Sequence, residues 1–241
     1  MILKINIDTD HIRTNFAYKS ALMGFYYKTM SKYYNEKFMR SFHDQTMIKY
    51  VVMSDLLGDK FKVTNKTQLN IYDNIHFYIA SFYDKLVEPF MYIDHIKIGE
   101  SKFNVDKIEI IRYTKLYNEF ESLSLVNLTK TIYKNNKKYY QRLNVQDSEY
   151  ITLLERNIKK KYSIAYGENI DFDLSVSPIR TGLFYIKDKR KNKMIPIRGW
   201  YIKLNIKSKN REQHRKLQRI ITEMGIGYTN LAGFGFMKPK S

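Results

Sequence analysis

The chain opens on MILKINI, an alternation of apolar and polar residues that predicts a strand. The period then changes. Over 16–34 the positions Tyr18, Ala21, Leu22, Phe25, Thr29 and Tyr33 gather on one side of a helix with ~3.6 residues per turn. Strand-like stretches return at 48–53, 61–64 and 75–80. A short helix is predicted over 81–89 with Pro89 as its stop, and alternation resumes at 92–98 and 103–113. The order is β-α-β-β-α-β with decoration, that of a ferredoxin-like unit.

A polar stretch at 114–121 reads as a linker. Beyond it, 124–133 alternates as a strand, and Asp147 is placed to N-cap a helix running to about Tyr162, with Tyr150, Leu153, Leu154 and Ile158 on one face. Strands are predicted at 172–176, 183–186 and 200–206, a helix at 210–224, and a terminal strand at 234–238. Strand and helix thus recur in the same order, which divides the chain into two α+β domains, 1–118 and 119–241. No repeat is visible at the level of residues.

Composition narrows the class. A hydrophobic content of 44% with 15% aromatics excludes a disordered chain. No apolar run reaches the ~18 residues of a membrane span, and the first residues do not read as a secretory leader. Zero cysteines removes disulfides, thiolate catalysis, zinc fingers and iron–sulfur clusters together. The expectation is a soluble, cytoplasmic protein. Its net charge is +18, and the excess is uneven: 1–118 holds 17 Lys and Arg against 13 Asp and Glu, whereas 119–241 holds 25 against 11. A polyanion is the natural partner for such a surface. With 21 tyrosines beside the lysines, that surface suits phosphates and stacked bases.

Four of the ten glycines, Gly225, Gly227, Gly233 and Gly235, fall within eleven residues between the last predicted helix and the last strand. A dinucleotide fingerprint runs from strand through loop to helix, so this context excludes a nicotinamide site or a P-loop. Glycines here permit positive φ and close approach of a ligand to backbone N–H groups. The pattern, with hydrophobic residues on both sides, closely resembles the C-terminal glycine-rich loop of the repeat-associated proteins of CRISPR systems. One branch fits more of the chain: the Cas-six endoribonucleases, which cut CRISPR repeat RNA. Residues 160–167 resemble the end of a helix in that family's second domain, and 194–206, with Trp200, resemble the strand feeding the last helix. The resemblance implies two tandem ferredoxin-like (RRM-like) domains with an RNA-binding cleft between them.

It also implies metal-independent cleavage by a tyrosine, a histidine and a lysine near the N-terminus. Tyr27, at the end of Leu22-Met23-Gly24-Phe25-Tyr26-Tyr27, His43 between Phe42 and Asp44, and Lys49 match that arrangement in order and approximate spacing. Tyr27 lies ~180° from the centre of the predicted apolar stripe, so its side chain is expected off the core. His43 has the pKa range suited to proton transfer near neutrality. The roles implied are His43 as general base or acid, Tyr27 as its counterpart or orienter, and Lys49 as the charge offsetting the phosphorane. His11, His76, His95 and His214 share no spacing that suggests a metal cluster, and neither metal nor cofactor is expected.

Two basic segments complete the expected RNA surface. Lys189, Arg190, Lys191 and Lys193 lie between strands, where a projecting hairpin reaches phosphates. Arg211, Arg215 and Arg219 recur at four-residue steps opposite Leu217, Ile220 and Met224. With them the loop residues Gly225, Gly227, Tyr228, Gly233, Phe234 and Gly235 are expected to bind RNA. The three lysines at 159–161 read as compensation of a helix dipole. The expected partner is CRISPR repeat RNA; other CRISPR effector subunits and a homodimer are compatible partners, and a membrane is not. The alternative is a non-catalytic RNA-binding scaffold subunit of the same superfamily.

Overall fold

The computed structural model describes residues 1–44, 50–64, 68–135, 137–188 and 193–240. In β1 (Ile2–Ile7), Leu3, Ile5 and Ile7 point into the core, as the alternation of MILKINI requires. There follow β2 (His11–Asn15), α1 (Tyr18–Met30), α2 (Glu36–Asp44), β3 (Val51–Met53), β4 (Lys60–Thr64), β5 (Gln68–Tyr72), β6 (His76–Ser81), β7 (His95–Ile98) and β8 (Ser101–Ile111). Five strands form an antiparallel sheet in the order β3-β6-β1-β8-β7. Its β1, β3, β6 and β8, with α1 after the first strand, have ferredoxin-like order.

Several boundaries differ from the expectation. The helix predicted over 16–34 is shorter, Tyr18–Met30, and a second helix that no predicted element covers begins at Glu36, where Asn35 Oδ1 accepts from Phe38 N at 2.9 Å. The helix predicted over 81–89 is a pair of 3₁₀ turns, Asp84–Leu86 and Glu88–Tyr92, the second holding Pro89, which has no N–H for a continuing helix. The strands β2 and β5 join β4 in a separate three-stranded sheet, β2-β5-β4. Neither shows a clean alternation: β2 buries only Ile12, and β5 buries Asn70 between Leu69 and Ile71.

The remaining chain forms β9 (Glu119–Ser122), β10 (Thr129–Lys134), β11 (Lys137–Arg142), α3 (Ser148–Tyr166), β12 (Phe172–Asp188), β13 (Lys193–Ser208), α4 (Arg211–Arg219) and β14 (Met237–Pro239). The sheet order is β12-β13-β9-β14, so β9-α3-β12-β13-α4-β14 repeats the ferredoxin-like order, with the β10–β11 hairpin inserted after its first strand. Part of the predicted linker is therefore β9, with Phe120 buried. The strands predicted at 172–176 and 183–186 are one strand. Its register slips between Pro178 and Arg180, where a residue without an N–H cannot complete the ladder. Asp147 precedes α3, but its carboxylate accepts from Asn144 N at 3.1 Å and caps no helical N–H. Asn210 does cap α4, its Oδ1 accepting from Gln213 N at 2.8 Å, and a π-helical turn, Ile220–Met224, extends that helix.

The core ignores the division between sheets. Tyr18, Leu22 and Tyr26 of α1 share one apolar cluster with Leu125, Phe184, Tyr201 and Phe234 from the second half. A second cluster under α3 and α4 includes Tyr150, Leu154, Ile158, Leu217 and Ile220. Among the described residues, no helix is long and apolar enough to cross a membrane.

Candidate functional site

The glycine-rich loop runs from the π-helical turn to β14 and is buried apart from Tyr228 and Thr229. Its ends are closed by Ile226 N donating to Gly235 O at 2.9 Å and Gly235 N donating to Leu125 O at 2.8 Å. Asn230 staples the interior, its Nδ2 donating to Ile226 O at 2.9 Å and Phe234 O at 2.8 Å. Gly235 has φ 75°, and a Cβ there would stand 1.8 Å from Ile226 O. Gly233, at φ 82°, would set its Cβ 3.2 Å from Lys19 Nζ. Only glycine fits at 235, and at 233 the positive φ strains any side chain. The close approach expected of a ligand is thus made by the chain to itself: Gly225, Gly227, Gly233, Phe234 and Gly235 are all buried. Tyr228 and Thr229 are the exposed tip, with Thr229 held at φ 63°, a left-handed conformation unusual for a β-branched residue.

Two buried lysines hold this loop, and neither was among the residues expected to serve it. Lys19, on α1, donates to Gly233 O and to Asp55 Oδ1, while the Tyr201 hydroxyl donates to Asp55 Oδ2. Its Nζ also stands 4.5 Å from the Phe184 ring centre and 4.6 Å from that of Phe234. Burial lowers the Lys19 pKa, with Asp55 opposing the shift; burial raises that of Tyr201, and Asp55 adds to the rise. Lys161, on α3, donates to Gly225 O and Asn230 Oδ1 at 2.8 Å each, and to Met224 O at 3.2 Å and Gly227 O at 3.4 Å. Burial pulls its pKa down to about 7. Of the three lysines read as dipole compensation, only Lys159 and Lys160 are partly exposed; Lys159 pairs with Glu155 and Asp171. The signal for Lys19 was its spacing. It lies with Leu22, Tyr26, Thr29 and Met30 on the face of α1 that is actually buried.

That face also corrects Tyr27. The buried stripe is centred about 120° from it, not opposite, and Tyr27 is half-buried, edge-on to Tyr26 with ring centres 5.7 Å apart. His43 stands in the last turn of α2. Lys49, Lys189, Arg190 and Lys191 lie outside the described residues. Lys193 is exposed at the start of β13, distant in sequence from Arg211 and Arg215, which are exposed on α4. Arg219, the third of that row, is occupied: it pairs with Glu223 at 2.9 Å and stacks over Phe82. No group of three metal-ligating side chains occurs among the described residues.

Two tandem ferredoxin-like units in this arrangement have counterparts among solved structures. A structure described as an RAMP protein binding different RNA substrates superposes with a TM-score of 0.79 at 20% identity, over 100% of both chains. One described as the characterization of a Cas6-related gene from Pyrococcus furiosus gives 0.78 at 18% identity, over 100% of this chain and 98% of the other. The family description "CRISPR associated protein Cas6, C-terminal" matches residues 104–239, and the chain belongs to the Cas6 family. Among curated relatives, CRISPR-associated endoribonuclease Cas6 2 of Methanocaldococcus jannaschii is 23% identical over 231 residues, spanning 92% of this chain and 91% of the relative. CRISPR-associated endoribonuclease Cas6 of Pyrococcus furiosus is 21% identical over 157 residues, 64% of this chain and 55% of that protein.

Proposed function

We propose that this Cas6-family chain cleaves CRISPR precursor RNA within its repeats, without a metal ion, using the substrate's own 2′-OH as nucleophile. A base removes the 2′-OH proton, the 2′-oxygen attacks the adjacent phosphorus, and the bond from phosphorus to the 5′-oxygen breaks as an acid protonates that oxygen. The products are a 2′,3′-cyclic phosphate and a 5′-hydroxyl. His43 and Tyr27 handle the two protons, each such transfer contributing ~10²–10⁴-fold. Lys49 offsets the charge gathering on the phosphorane. The observation that carries this reading is the docking of the family's glycine-rich loop on α1, the helix that bears Tyr27, through Lys19 and Gly233.

The two units, 1–118 and 119–241, divide the work between chemistry and RNA holding. Lys193, with Lys189, Arg190 and Lys191 of the preceding sequence, meets backbone phosphates, as do Arg211 and Arg215 from α4. Gly225, Gly227, Gly233, Phe234 and Gly235 shape the loop that presents Tyr228. Labelled repeat RNA, incubated with the protein in EDTA, should be cut at one position to leave the ends named above. His43→Ala should bind this RNA nearly as well as the parent and cut it at least ~10²-fold more slowly, because a proton-transfer group acts mainly in the transition state. Tight binding by the parent with no cleavage would make the chain a scaffold.

A further inference from the structure

The β10–β11 hairpin has no part in that reaction. Among the described residues, its two strands pair only with each other. Residues 129–142 carry five Lys and Arg and no Asp or Glu. They also expose three tyrosines: Tyr133 is 71% exposed, Tyr140 66% and Tyr139 47%. Exposed rings at this density, on a hairpin that is marginal by itself, make a surface suited to a ligand.

The register arranges these rings. Tyr133 lies opposite Lys138 and Tyr140 opposite Thr131, so the two tyrosines share one face of the hairpin as diagonal neighbours, about 7–8 Å apart. Arg142, opposite Thr129, continues the same face to the hairpin's root, where its guanidinium stands 5.0 Å from the centre of the Trp200 ring. By register Lys138 takes a position on this face, and the pair Lys134 and Lys137 positions on the other at the end of the hairpin, where Lys137 is exposed. Aromatic rings side by side on the face of a hairpin whose own residues include basic side chains and no carboxylate match the needs of unpaired bases on a phosphate chain; Glu149 of α3 pairs with Lys130, which lies on the other face, at 2.7 Å. RRM sheets take two or three bases on aromatic rings in this way.

We propose that the face of the β10–β11 hairpin carrying Tyr133 and Tyr140 is a stacking platform for single-stranded RNA. It takes two successive unpaired bases of the substrate, while the lysines beside it meet the phosphates. The all-basic composition favours RNA over a protein strand as occupant. The inference rests on the RNA-cleaving function proposed above, and the two are separable by experiment.

Trp200 is the chain's one tryptophan and lies at the root of this face, so its fluorescence reports occupancy. Adding single-stranded oligoadenylate or repeat RNA to the parent should change that emission. Tyr133→Ala/Tyr140→Ala should weaken binding of repeat RNA by about tenfold or more, with the salt dependence of affinity unchanged, since stacking releases no counterions. Tyr133→Phe/Tyr140→Phe should bind like the parent. Lys137→Gln should instead lower the salt slope by ~0.7 log units per log unit. Both tyrosines are exposed, so a normal thermal melt is expected for each variant. If the alanine variant binds as tightly as a parent that binds and cuts, RNA cleavage stands and the platform falls. Loss of affinity in the phenylalanine variant equal to that in the alanine variant would overturn stacking. A parent that neither binds nor cuts repeat RNA removes both.

Discussion

Lys19 and Lys161 sit on the first helices of the two ferredoxin-like units, and both are enclosed, at 0% and 1% exposure. Both reach the same loop. Lys19 brings a charge that is answered by another charge, Asp55, and the pair ties α1 to the loop and, through Tyr201, to β13. Lys161 has no carboxylate among its hydrogen-bond partners. It gathers the carbonyls that end the last helix, Met224 O and Gly225 O, with Gly227 O and Asn230 Oδ1. Those carbonyls lack intrahelical partners, and Lys161 caps them from a neighbouring helix. One lysine thus joins two units electrostatically; the other satisfies a helix end within one unit.

The difference predicts unequal consequences. Lys19→Met should cost about 3–5 kcal/mol in urea unfolding, because it leaves the Asp55 carboxylate buried without its cation. Adding Asp55→Asn should recover most of that loss; a single variant with parental stability would mean that the pair is not enclosed. Lys161→Met should cost less, ~1–3 kcal/mol, since it strips a donor from several oxygens and strands no charge. An equal or larger loss would erase the contrast.

A smaller effect sharpens it. With its pKa drawn from 10.5 to about 7, Lys161 is neutral in the folded chain and charged in the unfolded chain between those values. The unfolded state then binds more protons, so stability should rise with pH across that window and the rise should be missing from Lys161→Met. The penalty of the buried cation is fully present below about pH 7. Four oxygen acceptors oppose it, since an ammonium offers three hydrogens and an amine two. A parental slope unaltered in Lys161→Met would show that these oxygens keep the ammonium charged.

The strands whose side chains alternate were legible in the sequence. Leu3, Ile5 and Ile7 alternate with polar residues, and β1 appears where it should. Elements made by side-chain hydrogen bonds were not. Asn35 starts α2, which no predicted element covers, and Asn70, buried inside β5, breaks the pattern that would have marked a strand. The glycine loop was visible, but spacing does not say what approaches a glycine, and here the neighbours are Ile226 O and Lys19 Nζ. The buried lysines were hidden for the same reason. Lys161 sits in a run with Lys159 and Lys160 that reads as a solvated helix end, and its burial depends on carbonyls more than sixty residues away.

In the proposed reaction the attacking group belongs to the substrate. Single-turnover cleavage of repeat RNA, beside the same RNA with hydrogen in place of the one 2′-OH upstream of the scissile phosphate, decides whether it does. The parent should cut the first in EDTA and leave the second intact while still binding it. Cleavage of the deoxy substrate would mean that water attacks, and would contradict the account.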